Sequence, residues 1–160
     1  MAAVDAFLKL EGIPGDSTDA KHKDEIEVES FSFGLSNTGR TAAGGGGGAG
    51  KVTFQDFHFT AATSKASPNL FLACANGHHI KQGTLTVRKA GRDEQEFLKY
   101  TLTDVLVSSY EGSSVDDAFP QDTFTLNFAK VVTSFSSTQP SGLLAEPIVT
   151  GWDLSQLKID

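Results

Sequence analysis

Four stretches of this chain alternate apolar and polar residues and then change phase by one residue. In EIEVESFSFG, Ile26 and Val28 give way to Phe31 and Phe33. In KVTFQDFHF, Val52 and Phe54 give way to Phe57 and Phe59; in EFLKYTLTDVLV, Leu98, Tyr100 and Leu102 give way to Val105 and Val107. In TFTLNFAKVVTSF, Phe124, Leu126 and Phe128 give way to Val131 and Phe135. A strand shows alternate residues to opposite faces, so a strict period of two cannot keep one face buried through such a slip. A β-bulge or a sharp bend can, and bulged strands are how a sheet curls and closes. The pattern therefore predicts an all-β fold: a small closed β-barrel of bulged antiparallel strands, arranged as two curled sheets. Two short strands around a kink at each slip lead to nearly the same architecture. Twelve Phe against one Trp, two Tyr and one Met imply ring packing between sheet faces.

The rest of the chain fits around those strands. VDAFLKL (4–10) reads as a first strand with Val4, Ala6, Leu8 and Leu10 on one face. Residues 11–24 hold Pro14, Gly15 and many charges, and read as an exposed loop. One helix flanks the barrel: Ser67 can cap, Pro68 suits the first turn, Leu70, Phe71 and Cys74 give an apolar side, and Gly77 suits a left-handed stop. TLTVRKAGRDEQEFLKYTL pairs two strands across a turn containing Gly91. Residues 111–122 and SSTQPSGLLAEP read as loops, and a last short strand surrounds Ile148–Trp152. Nothing marks a second domain or a repeat. One domain over 1–160 is expected, with a flexible glycine-rich loop at 39–51.

Composition removes several function classes. Lys and Arg number 13 against 20 Asp and Glu, a net charge of −7, whereas phosphate backbones demand clustered cations; nucleic acid is not an expected partner. The apolar runs are far too short to span a bilayer, so membrane insertion is not expected. The opening MAAVDAFLKLEG carries Asp5 and Lys9 inside its apolar stretch and does not read as a signal peptide. Cys74 is the single cysteine, so the fold must stand without an internal disulfide, as in a reducing cytosol.

Chemistry has little to build on. Gly45, Gly50 and Lys51 match the spacing of a phosphate-binding loop, but Val52 supplies no hydroxyl for magnesium and the following VTFQDFHFT alternates as a strand. A phosphate loop must instead open a helix. Cys74, His78 and His79 have metal-ligand types, yet neither His58 nor His22 has a spacing that completes a site, so no metal is expected. Asp56 and His58 share a strand face and read as a surface hydrogen bond, with no third partner for catalysis. No catalytic residues and no cofactor are expected. The acidic runs Glu25–Glu27–Glu29 and Asp93–Glu94–Glu96 read as solvated positions or as pairing surfaces for another subunit.

HKDEIEVESFSFG, GGGGGAGKVTFQDFHFT, SPNLFLACANGHHI, TLTVRKAG, LTDVLVSSY and FTLNFAKV, in this order from Val4 to about Val132, resemble the Hcp (haemolysin-coregulated protein) family. These are tube subunits of bacterial type VI secretion systems. The resemblance implies a barrel with one short helix, assembled as a homohexameric ring. It implies that rings stack into a tube like a phage tail tube, expelled by a contractile sheath behind a spike, with small effectors carried inside. It also implies export to the medium or a target cell without a signal peptide. The alternative is a monomeric ligand-binding β-barrel with no secretion role.

Two sites follow. Alternation sends Phe31 and Phe33 to one face and Ser32 to the other. Ser32 is therefore the candidate lumen or cargo residue, although alternation alone fits an ordinary exterior serine equally well. Gly44, Gly45, Gly46, Gly47, Gly48, Ala49 and Gly50 are the candidate contact for ring stacking or a neighbouring subunit, because so glycine-rich a loop needs contacts from elsewhere to become ordered.

Overall fold

The computed structural model describes residues 4–39, 51–91, 95–155 and 158–159. The glycine segment Gly44–Gly50 lies outside these described residues. The chain runs β1 (Val4–Leu10), β2 (Ile26–Val28), β3 (Ser30–Ser32), β4 (Leu35–Asn37), β5 (Val52–Phe54), β6 (Phe57–Ala62), α1 (Ser67–Asn76), β7 (His79–Lys89), β8 (Glu96–Ser113), β9 (Gln121–Phe135), β10 (Ile148–Asp153) and β11 (Lys158–Ile159).

Two long strands hold the fold together. The β9 strand pairs with β8 along its length, with β6 through Gln121–Leu126, and with β10 through Lys130–Phe135. From β8 the sheet continues through β7 and β1 to β2. From β6 it continues to β3, and Glu29, between β2 and β3, donates its amide to the Thr60 carbonyl at 2.8 Å. All these pairings are antiparallel, and the circuit is a nearly closed barrel. A separate two-stranded sheet, β4 with β5, extends from the β3 and β6 ends.

The phase slips have different local causes. In the two short-stranded regions the chain breaks into separate strands, β2/β3 and β5/β6. In β8 and β9 the buried pairs Leu102↔Val131 and Val105↔Phe128 lie in one uninterrupted register. That is a bend with no inserted residue. Asp104, between Leu102 and Val105, has φ 56, a left-handed conformation that re-aims the strand. Opposite the bend, the Ala129 carbonyl accepts the Leu154 amide at 2.8 Å. The register shifts fall elsewhere, between Val107 and Ser109 and between Val87 and Arg88.

The core is aromatic along one line. Phe33, Phe57, Phe59 and Phe124 stack successively at centroid separations of 4.5, 5.4 and 5.2 Å, and Tyr100 meets Phe33 and Phe57 edge-on at 5.2 Å. Such pairs each add about 1 kcal/mol beyond their area burial.

Three expectations need correction. Residues 11–24 are anchored rather than merely exposed: Ile13, Ser17 and His22 are buried. The helix starts at Ser67, but Ser67 does not cap it. Ala66 takes that place, its amide bonds the Ser64 hydroxyl, and Phe71 is exposed while Leu70 and Ala73 are buried. Of residues 111–122 only 114–120 form the loop, since Glu111↔Thr123 and Ser113↔Gln121 continue the ladder on either side. Gly77 ends the helix at φ 68, as expected.

Candidate functional site

Register places Ser32 within a hydroxyl-rich face. Residues directly opposite in an antiparallel ladder share a face. Ser32 lies opposite His58, His58 opposite Thr125, and Thr125 opposite Ser109. The next row is Ser30, Thr60, Thr123 and Glu111. Ser30, Ser32, His58, Ser109, Glu111 and Thr123 are exposed, while the intervening Phe57, Phe59, Phe124 and Leu126 are fully buried. Four strands thus present a polar surface whose reverse is the aromatic core.

Hydrogen bonds within this surface make it rigid. The extra residue at the β8 bulge puts both Ser108 and Ser109 against Thr125, with oxygen separations of 2.7 and 2.6 Å. Asp56 accepts the Ser108 hydroxyl at 2.6 Å and the Asn127 amide at 2.9 Å. Asp56 is therefore held by Ser108 and Asn127 rather than in the expected bond with His58. Gln121 donates to Glu29 at 3.1 Å, which lays that carboxylate over the end of the same face.

Other exposed surfaces are apolar. Phe71 and Leu72 on α1, Val115 and Phe119 at the β8–β9 turn, and Ile148 and Val149 on β10 are each more than half exposed. Between the β4–β5 arm and β9–β10 lies a cleft of about 490 Å³ walled by Phe33, Leu35, Phe54 and Trp152, whose buried Nε1 has no hydrogen-bond partner. Unpaired strand edges and apolar patches of this kind mark surfaces that pair with another chain.

The metal-type residues do not converge. Cys74 is half-buried, His78 is exposed, and His79 Nδ1 sits 2.7 Å from Asp104. Among the described residues no group of three His, Cys, Asp or Glu is placed to hold a metal ion.

Sequence reasoning missed two buried polar clusters. His22 stacks on Phe7 at 4.5 Å with planes 6° apart, and its ring nitrogens each lie 2.9 Å from a carboxylate, Glu25 and Glu96. Those two glutamates are therefore not simply solvated. Beside them Arg88, itself buried, donates through two nitrogens to Asp19 at 3.0 and 2.6 Å and stands 4.7 Å over the Phe7 ring. That guanidinium, first through its hydrogen bonds, lowers the Asp19 carboxyl from 3.8 to about 2, and the amides of Lys21 and His22 assist. The second cluster surrounds Asp122, which accepts the hydroxyls of Ser67, Thr63 and Tyr110. Burial first, and then the Asp122 carboxylate, push the Tyr110 phenol above its usual range. Both clusters join segments distant in sequence, and neither has a local pattern.

The chain is thus a nearly closed barrel with a polar four-strand face and several exposed apolar patches. The family described as "Type VI secretion system effector, Hcp" matches residues 7–135. Protein hcp1 of Pseudomonas aeruginosa is 43% identical over 158 residues, covering 96% of this chain and 97% of that protein. The crystal structure of Hcp1 from Salmonella typhimurium superposes with a TM-score of 0.83 at 37% identity, covering 99% of this chain and all (100%) of the other. A structure described as a type six secretion system protein reaches a TM-score of 0.92 at 30% identity, over 99% and 100% of the two chains. The chain belongs to the Hcp family of type VI secretion proteins.

Proposed function

We propose that this chain is the tube subunit of a type VI secretion system. Each 160-residue chain forms one barrel domain. Six copies close into a ring, rings stack into the expelled inner tube, and the lumen carries small effectors. Sheath and spike proteins of the system are the further partners, and export proceeds without a signal peptide. The role is structural rather than enzymatic. Family membership supports the assembly, and the polar four-strand face supports the lumen. A ring of barrels needs one rigid, hydrated face turned inward and apolar edges turned to neighbours. The row Ser32–His58–Thr125–Ser109 is the observation that carries this reading. Cyclic closure joins two different surfaces of each subunit and covers their exposed edges.

Native mass spectrometry at micromolar concentration tests the ring, with a six-chain species expected and monomer alone overturning it. Ser32→Gln should leave that ring intact while weakening retention of an effector, because a bulky amide would crowd the row beside His58. The alternative, a monomeric ligand-binding barrel, is favoured by one feature, the apolar cleft beside Trp152. It would run at the mass of a single chain.

A further inference from the structure

The polar face lacks lysine and arginine, and that bears on what it can retain. None of the 13 Lys and Arg occurs in Ser30–Ser32, Phe57–Ala62, residues 105–113 or residues 121–128, the four strand segments that build the face. Carboxylates do occur on it. Glu111 stands in the Ser30–Thr60–Thr123 row, is exposed, and makes no hydrogen bond or ion pair through its side chain among the described residues. Glu29 lies over the end of the face through Gln121, and Asp56 borders it through Ser108 and Asn127. His58 is the single group in the two rows that can carry positive charge. No large exposed apolar residue interrupts those rows.

We infer that the partner held by this face is cationic: a small basic protein, or the basic segment of one. The inference rests on the lumen reading above and adds the chemistry of the cargo. Hydroxyl rows offer hydrogen bonds without demanding a particular shape, and carboxylates on strand segments that carry no lysine or arginine make the face negative. Glu29 shares a cavity with Arg88, so Glu111 is the face's exposed charge furthest from a cation in sequence pairing. On an open surface the negative field decays over a Debye length of about 8 Å at physiological salt. Inside a ring every subunit contributes the same carboxylates to one channel, where low-dielectric walls focus the potential and concentrate counter-charge. An acidic cargo meets repulsion from every side. Selection then acts through charge and size, which suits a tube that must release what it carries.

The test compares fluorescein-labelled dodecalysine with dodecaglutamate, by anisotropy against the intact protein, as salt is raised from low to physiological strength. Dodecalysine should bind, weakening at least tenfold over the series, and dodecaglutamate should not. Because the whole chain is acidic, location is decided by two charge-matched variants. Glu29→Gln with Glu111→Gln on the face should weaken dodecalysine at least fivefold. Asp117→Asn with Glu146→Gln, exposed and off the face, should change it less than twofold. Equal effects from both pairs, or binding of dodecaglutamate, would overturn the inference. Native mass spectrometry of the same samples separates the two readings. A monomer sinks the ring, while the comparison of the two variant pairs still decides whether the face prefers cations.

Discussion

Ser67 of α1 donates its hydroxyl hydrogen to the carboxylate of Asp122 in β9, across 55 residues of sequence. Thr63 and Tyr110 donate to the other oxygen of the same group at 3.1 and 2.9 Å, and Asp122 is 2% exposed. The only helix among the described residues is thus pinned to the barrel by a buried charge-assisted network.

Asp122→Ala should therefore cost about 3 kcal/mol, since it strands three buried or half-buried hydroxyl donors. Thr63→Val, which removes one donor, should cost about 1 kcal/mol. Urea unfolding measures both. A change below about 0.5 kcal/mol for Asp122→Ala would show that the network is not a stabilising contact.

The Arg88–Asp19 pair should be visible in acid. With its folded-state value lowered from 3.8 to about 2, Asp19 binds fewer protons folded than unfolded between those limits. Its contribution is complete above pH 3.8 and is lost as pH falls through about 2. Asp19→Asn should lower the urea midpoint at neutral pH and flatten its fall over that acid interval. A variant whose midpoint falls as steeply as the native protein's would show that Asp19 is not the group responsible.

Much of the barrel could be read because burial of alternate residues leaves a local signature. The slips at Leu102/Val105 and Phe128/Val131 announced a bend, and the structure places both at one ladder position. Ser32 was legible by parity with Phe31 and Phe33; its neighbours His58, Thr125 and Ser109 were not, because they arrive through strand pairing. The loop at 11–24 misled for a different reason. His22, Asp19 and Glu25 have the composition of a solvated turn, and only their partners Glu96 and Arg88, far along the chain, show that they are anchored. Buried polar groups satisfied over long range look like surface in sequence. Phe71 misled in the opposite sense, an apolar residue at helical spacing that faces outward and is 62% exposed.

Gly151 fixes the last wall of the apolar cleft. A Cβ there would lie 2.8 Å from the Val131 carbonyl oxygen and 3.0 Å from Val132 Cγ2, so β10 can sit against β9 only without a side chain at this position. Gly151→Ala should force β10 outward at a cost of about 1–3 kcal/mol. Amide exchange localises the effect, with faster exchange expected across Val149–Trp152 and unchanged exchange in β7. If the amides of β10 keep their native protection, the close approach is not limiting. Ring formation measured on the same variant then reports whether Ile148 and Val149 must be held in place for assembly.

The arm formed by β4 and β5 tests the role assigned to the glycine segment. Its stem is defined by Leu35↔Phe54, Ser36↔Thr53 and Asn37↔Val52, and by Thr38 bonding Lys51 through both main chain and hydroxyl. Replacing residues 40–50 by a two-residue turn keeps that stem and shortens the closed loop, so barrel stability should change by less than about 1 kcal/mol. Ring closure, proposed to run through the barrel edges, should persist in native mass spectrometry. Stacking should not, because the segment is the part of each subunit proposed to reach its neighbour. Electron microscopy of the variant should show separate rings where the parent is expected to form tubes, and secretion should fall with tube formation. Normal tubes from the shortened chain would make the segment a spacer. Loss of the barrel's circular dichroism signature would make the glycines part of the domain's own structure.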